Sequence, residues 1–151
     1  MESFYHSSSQ MRFRFSPMLK FLSDHRYIKL SYGAKQLYTY LYDRQSLSYR
    51  NRWFDEKGNV FIRFKTKPAQ NDLRKREEKE LKDLSLSELM GVDPKTIMKF
   101  KKELKEAALL HEVREGMGRT NRIYLKYPAD IDEKYLYHCA DEEFQDHPFS
   151  D

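Results

Sequence analysis

Several things are scarce in this 151-residue chain. Its one cysteine, Cys139, can form no internal disulfide, so a reducing, cytoplasmic setting is the expectation. It has no secretory apolar segment and no run approaching membrane-spanning length, which leaves no membrane role to expect. No Gly-rich loop followed by Lys-Ser or Lys-Thr is present to cradle a nucleotide phosphate. His138, Cys139 and His147 have no spacing that completes a four-ligand zinc set. Asp130-Ile131-Asp132 pairs two carboxylates of the kind that hold magnesium, but it stands alone in an acidic tail. No enzyme, cofactor or metal is therefore expected.

What the chain has is charge, unevenly spread. Hydrophobic residues make up 39%, charged residues 34% and aromatics 15%, the profile of a polar but globular protein. Of 28 bases and 24 acids, one base and eight acids lie from Ala129 onward. Residues 1–128 thus carry 27 bases and 16 acids, a net of +11. A basic body with an acidic tail points to a polyanionic partner. The length suits one domain with one core. The expected division is a body over 1–128 and an acidic tail or linker over 129–151. The chain ends in polar sequence with no closing element, as a fragment of a longer protein does.

The most informative stretch is 93–128. Asp93 is a good N-cap, Pro94 suits the first helical position, and Val92 with Ile97 is placed as a hydrophobic staple. Ile97, Phe100, Leu104, Ala107 and Ala108 recur at helical spacing as a buried stripe. Lys95, Lys99 and Lys102 fall on another face, flanked by Thr96 and Met98. Such a helix suits a DNA major groove. Two strand-like runs follow, Leu109 to Val113 and Ile123 to Leu125, around a tip containing Gly116 and Gly118. Arg114, Arg119 and Arg122 crowd this hairpin, as phosphate or minor-groove contacts would. Ser85-Leu86-Ser87-Glu88 is a capping box opening a short helix that Gly91 ends. Helix, helix and basic hairpin is the order of a winged helix-turn-helix. The fold class expected is α+β, mainly helical, with a small antiparallel sheet or wing.

Earlier in the chain, Met11, Phe13 and Phe15 alternate with Arg12 and Arg14, which predicts an N-terminal strand or arm over 1–15. Ser16-Pro17 reads as the start of a short helix through Leu22. Leu30-Ser31 opens a longer helix with Ala34, Leu37, Tyr38, Leu41 and Tyr42 as its apolar stripe. Tyr38, Tyr40 and Tyr42 read as core or surface aromatics rather than nucleophiles. Residues 46–52 read as a connector. Trp53-Phe54 and Val60-Phe61-Ile62 flank a Gly-Asn turn, as a hairpin does. Residues 65–84 are nearly all charged. They predict a weakly packed helix after Pro68, with solvated Arg74, Lys75 and Arg76.

Three runs carry a resemblance. They are Leu30-Ser31-Tyr32-Gly33-Ala34-Lys35-Gln36-Leu37-Tyr38, then Tyr42-Asp43-Arg44-Gln45-Ser46-Leu47-Ser48, then Asn51-Arg52-Trp53-Phe54-Asp55-Glu56-Lys57-Gly58-Asn59-Val60-Phe61-Ile62. With Glu115-Gly116-Met117-Gly118-Arg119-Thr120-Asn121-Arg122-Ile123-Tyr124-Leu125, they resemble the N-terminal domain of the RepA_N plasmid replication initiators. The resemblance implies a winged-helix domain of a bacterial cytoplasmic protein. It would bind origin repeats in double-stranded DNA, as a homodimer, and reach host replication proteins only through a separate C-terminal domain. Its implied DNA-binding positions are Lys95, Thr96, Lys99 and Lys102 on the helix, and Arg119, Thr120, Asn121 and Arg122 on the wing. Met98 and Arg114 join them from the residue pattern. Residues 65–84 depart from the family as an insertion, and Thr120 stands where proline is common. The His-X-His metal pair of rolling-circle initiators is absent. A transcriptional regulator on the same fold, or a winged-helix protein-interaction module, are the alternative readings.

Overall fold

The computed structural model describes residues 18–136 together with Ser7. The arm expected at 1–15, the Ser16-Pro17 helix start, and His138, Cys139 and His147 lie outside the described residues. In chain order the elements are two short 3-10 turns, Lys20–Ser23 and His25–Tyr27, then α1 (Tyr32–Arg50), α2 (Leu86–Met90), α3 (Pro94–Glu106), β1 (Leu110–Val113) and β2 (Arg122–Leu125).

Ser31 caps α1 by accepting a bond from the Ala34 N–H. Ala34, Leu37, Tyr38 and Leu41 are buried as the periodicity predicts, but Tyr42 is half exposed. The helix also runs on through 46–50, where a connector was expected. Nothing in that run breaks a helix, and the Ser46 hydroxyl bonds back to the Asp43 carbonyl instead of opening a turn. The end comes at Arg52, which takes a left-handed φ of 53°. There the Arg52 and Trp53 N–H groups return to the carbonyls of Tyr49 and Ser48, as in a Schellman motif. Ala108 closes α3 in the same way at φ 59°, so it is exposed and not part of the buried stripe.

The hairpin expected at 53–62 is present as a single bridge between Phe54 and Val60. Its turn is held by the Asp55 carboxylate, which accepts from the Lys57 and Asn59 N–H groups. The sheet pairs β1 with β2 in antiparallel register, Leu110 opposite Leu125 and Val113 opposite Arg122. Ile62 bridges Ile123 on the other side of β2, through mutual bonds of 2.7 and 2.9 Å. The Ile62 bridge, α2, α3 and the β1–β2 hairpin thus follow in winged-helix order.

Residues 65–84 are not the helix that propensity predicts. Apart from 3-10 turns at Arg76–Glu78 and Leu81–Asp83, they carry no helix. Leu73 and Leu81, the large apolar residues of the predicted helical part, are both exposed, so a helix there would bury no face. Charges pair with α2 instead. Lys79 reaches Glu88 at 2.8 Å and Asp72 at 3.3 Å, and Arg76 donates to the Glu88 carbonyl. The excursion begins and ends at one place, because the Leu86 and Ser87 N–H groups bond the Lys65 and Thr66 carbonyls. These bonds, with the Ser85–Glu88 capping box, satisfy the start of α2.

One apolar cluster, including Leu22, Leu37, Leu41, Ile62, Leu86, Ile97, Leu104 and Ile123, joins all three helices to the sheet. Ile131 and Tyr135 pack against it, and Asp130 pairs with Arg26 at 3.0 Å, so the first part of the acidic segment lies on the body. At the α1–α3 crossing, a Cβ on Gly33 would stand 2.0 Å from Phe100 Cζ. Gly33→Ala should therefore destabilise the fold by about 1–3 kcal/mol, against the helix propensity gained. Urea unfolding of the two proteins measures it.

Candidate nucleic-acid interface

The Asp93 carboxylate accepts from the Lys95 N–H at 2.9 Å, and Pro94 follows at the first helical position, so α3 starts where the sequence places it. Lys95, Met98, Lys99 and Lys102 share one face at i, i+3, i+4 and i+7, and all four are exposed. No ion pair holds Lys95, Lys99 or Lys102 among the described residues. The one acid continuing that row, Glu106, comes at its far end. Glu103 points elsewhere, accepting from the Ser31 N–H at 3.0 Å and hydroxyl at 2.8 Å, which ties α3 to the start of α1. Thr96 is half-buried at the edge of the face.

The opposite face of α3 buries Ile97 and Leu104, and with them Lys101, which is only 3% exposed. Lys101 Nζ donates to Glu112 Oε2 at 3.0 Å and to the Thr66 hydroxyl at 3.1 Å. Glu112 also accepts from Lys105 at 3.0 Å and from the Asn121 amide at 3.2 Å. This cluster fastens the helix to both strands of the sheet. Burial pushes the Glu112 carboxyl up, but the Lys101 charge and the bonds from Lys105, Lys101 and Asn121 outweigh it. The carboxyl titrates below its ordinary range.

The hairpin divides its cations. Arg122 donates to Glu115 and lies over the Phe61 ring at 4.4 Å. Arg63 reaches the same carboxylate at 2.9 Å and the Thr120 carbonyl at 2.8 Å. The bond from Arg122 leads in holding the Glu115 carboxyl below its usual range. Of the wing residues read from sequence, Asn121 and Arg122 therefore turn their polar groups inward, and Thr120 serves through its carbonyl. Arg114 is exposed and has no ion pair among the described residues. Arg119 is exposed, with Glu115 3.6 Å away.

Arg63, Lys101 and Glu112 were not singled out in the sequence. A signal existed for two of them. Lys101 sits four residues after Ile97 and three before Leu104, inside the apolar stripe. Glu112 alternates with His111 onto the face that Leu110 buries. Opposite charges on two inward faces that pack together are placed to pair with each other.

No group of three or more potential ligands that could hold a metal occurs among the described residues. Asp130 is taken by Arg26, and Asp132 caps a 3-10 turn at Glu133–Tyr135. A cleft of about 1270 Å³ lies between α1 and the sheet, lined by Tyr42, Tyr49, Tyr124 and Tyr127 among others, and it does not include the lysine row. Among the described residues no helix is long and apolar enough to cross a membrane.

Glu112→Ala leaves Lys101 buried without a counter-charge and should cost about 3 kcal/mol, whereas the double change Lys101→Met with Glu112→Leu should recover most of that loss. Denaturant unfolding of wild type and the two variants tests it. The lowered Glu112 carboxyl also sets a direction with pH. Its contribution is complete above the ordinary carboxylate range and is lost as pH falls through the depressed folded value. The stability gap between wild type and Glu112→Gln should therefore narrow between about pH 6 and about pH 3, read by unfolding at each pH.

Residues 13–85 match the family model described as "Replication initiator protein A (RepA) N-terminus". Several solved structures are similar, three of them as follows. One described as "Structure of Rep-DNA complex" has 28% identity over 79% of each chain and a TM-score of 0.57. One described as "N-Terminal domain of DNA binding protein" has 26% identity over 85% of this chain and 86% of that one, with a TM-score of 0.56. One described as "Structure of MDR initiator" has 29% identity over 84% of this chain and 88% of that one, with a TM-score of 0.51. No curated protein matches. Residues 13–85 are thus similar to the replication initiator N-termini of the RepA_N family, and the chain has a winged-helix fold in common with these structures.

Proposed function

We propose that this chain binds double-stranded DNA at a plasmid replication origin, as the repeat-recognising N-terminal part of an initiator. One observation carries the reading. Lys95, Lys99 and Lys102 stand on a single exposed helix face with no ion-pair partner among the described residues. Lysines not engaged within the domain are available to phosphates and to guanine edges. Their helix is the second of a helix-turn-helix pair, the one that enters a major groove. The similar structure described as a Rep-DNA complex supports the same partner.

In this reading Lys95, Thr96, Met98, Lys99 and Lys102 meet the major groove. Arg114 and Arg119 meet phosphates or the adjacent minor groove. Thr120, Asn121 and Arg122 contribute by shaping the wing, through the inward contacts described above. The domain binds and does not catalyse. It works as a homodimer in the bacterial cytoplasm, with host replication proteins recruited by a separate C-terminal domain. Residues 1–128 form the binding domain, and the acidic segment over 129–151 follows it in the chain, Ile131 and Tyr135 packing against the core.

Five exposed cations on the helix and wing (Lys95, Lys99, Lys102, Arg114 and Arg119), with about one phosphate each, give a log–log salt slope of about −4.5. Lys99→Ala with Lys102→Ala should make that slope shallower by about 2 and weaken binding, with unchanged circular dichroism. The measurement is fluorescence anisotropy on duplex from the origin beside the gene, across a salt series. Undiminished affinity in the double variant sinks the assignment of this face. Light scattering, with and without duplex, checks the homodimer.

A further inference from the structure

We propose that Met117 is a wedge that enters the minor groove and unstacks one base step, so that the domain bends the duplex it binds. The inference rests on the DNA-binding reading above and adds an activity to it. Met117 is 100% exposed, with a glycine on each side. A single exposed apolar residue is common on protein surfaces, so exposure alone decides nothing. Three further observations decide it.

The first is the shape of the tip. Gly116 and Gly118 take φ of 96° and 79°, and no atom lies within 4 Å of a Cβ built on either. The Arg119 N–H returns to the Gly116 carbonyl at 3.5 Å. Met117 is thereby held at the apex of a narrow turn, with room on both flanks for the walls of a groove. The second is stiffness. Inserting a side chain between stacked bases needs a finger that does not fold back under load. Glu115 is gripped by Arg63 and Arg122, and Glu112 is gripped by α3 through Lys101. Both strands of the finger are thus braced near its base. The third is charge. Arg114 and Arg119 remain exposed on either side of the apex, where phosphates flank a minor groove.

Methionine suits the role, being unbranched, polarizable and adaptable. Apolar wedges of this kind kink duplexes by about 20–90° toward the major groove. They favour pyrimidine–purine steps, which unstack most easily. The wing would then select its site partly by deformability, at bases it does not hydrogen-bond.

The test uses a 40-base-pair duplex (about four helical turns) recovered from a random pool by the wild-type protein. Fluorophores at its ends report bending, and permanganate reports unstacked thymines. Bending with several-fold higher reactivity at one step is expected for wild type and for Met117→Leu. Met117→Ala should bind with at most about ten-fold lower affinity, leave the duplex straight, and return thymine reactivity to that of free DNA. A wild-type complex that binds but leaves the duplex straight overturns the wedge, and so does Met117→Ala bending as wild type does. Recovery of no duplex at all overturns the DNA-binding reading beneath it.

Discussion

The buried pair between Lys101 and Glu112 is the constraint on which the arrangement of the interface depends. An amphipathic helix and a two-stranded hairpin have no fixed relation to each other. Here a lysine on the inner face of α3 meets a glutamate on the inner face of β1 at 3.0 Å, with 4% and 8% of their side chains exposed. Neither charge has water as an alternative, so displacing one element strands the other's charge. Thr66 and Asn121 join the same cluster from the segment before α2 and from the end of the wing. Four parts of the chain, Thr66 lying 35 residues before Lys101, therefore share one set of bonds. Burying the pair is costly, but the charges impose a geometry that apolar packing alone leaves looser.

A second principle is the division of cations by role. Arg63, Lys79, Lys101 and Arg122 are consumed inside the domain, each on a carboxylate. Lys95, Lys99, Lys102 and Arg114 are not. Summed charge does not separate these groups, yet only the second can exchange its counterions for phosphates. The excursion at 67–84 shows the same economy. Arg74, Lys79 and Lys82 meet its own acids or Glu88 of α2, and Arg76 the Glu88 carbonyl, so much of its charge serves attachment.

The ends of elements were legible wherever local chemistry decides them. Ser31, Ser85 and Asp93 cap helices from their own side chains, and Gly116 and Gly118 take the positive φ that the hairpin predicts. Periodicity located the buried stripe of α1 and the lysine face of α3. It failed where burial was decided from afar. Tyr42 continues the α1 pattern but stays half exposed, and Ala108 continues the α3 pattern but takes the left-handed conformation that ends the helix. Residues 65–84 have helix-forming side chains, yet propensity without an apolar face to bury does not hold a helix together.

By itself, then, the sequence determined the helices' starting points, the tip of the finger and the excess of positive charge over 1–128, because each follows from neighbouring residues. It also carried the family resemblance that the comparisons bear out. Only the tertiary structure decided which positive charges are free. Arg122 and Arg119 look alike in sequence, three residues apart. The fold brings Glu115 and the Phe61 ring up to Arg122, while Arg119 stays mostly in solvent. Charge is a property of a residue, but its availability depends on partners that the folded chain supplies at distances no local pattern encodes.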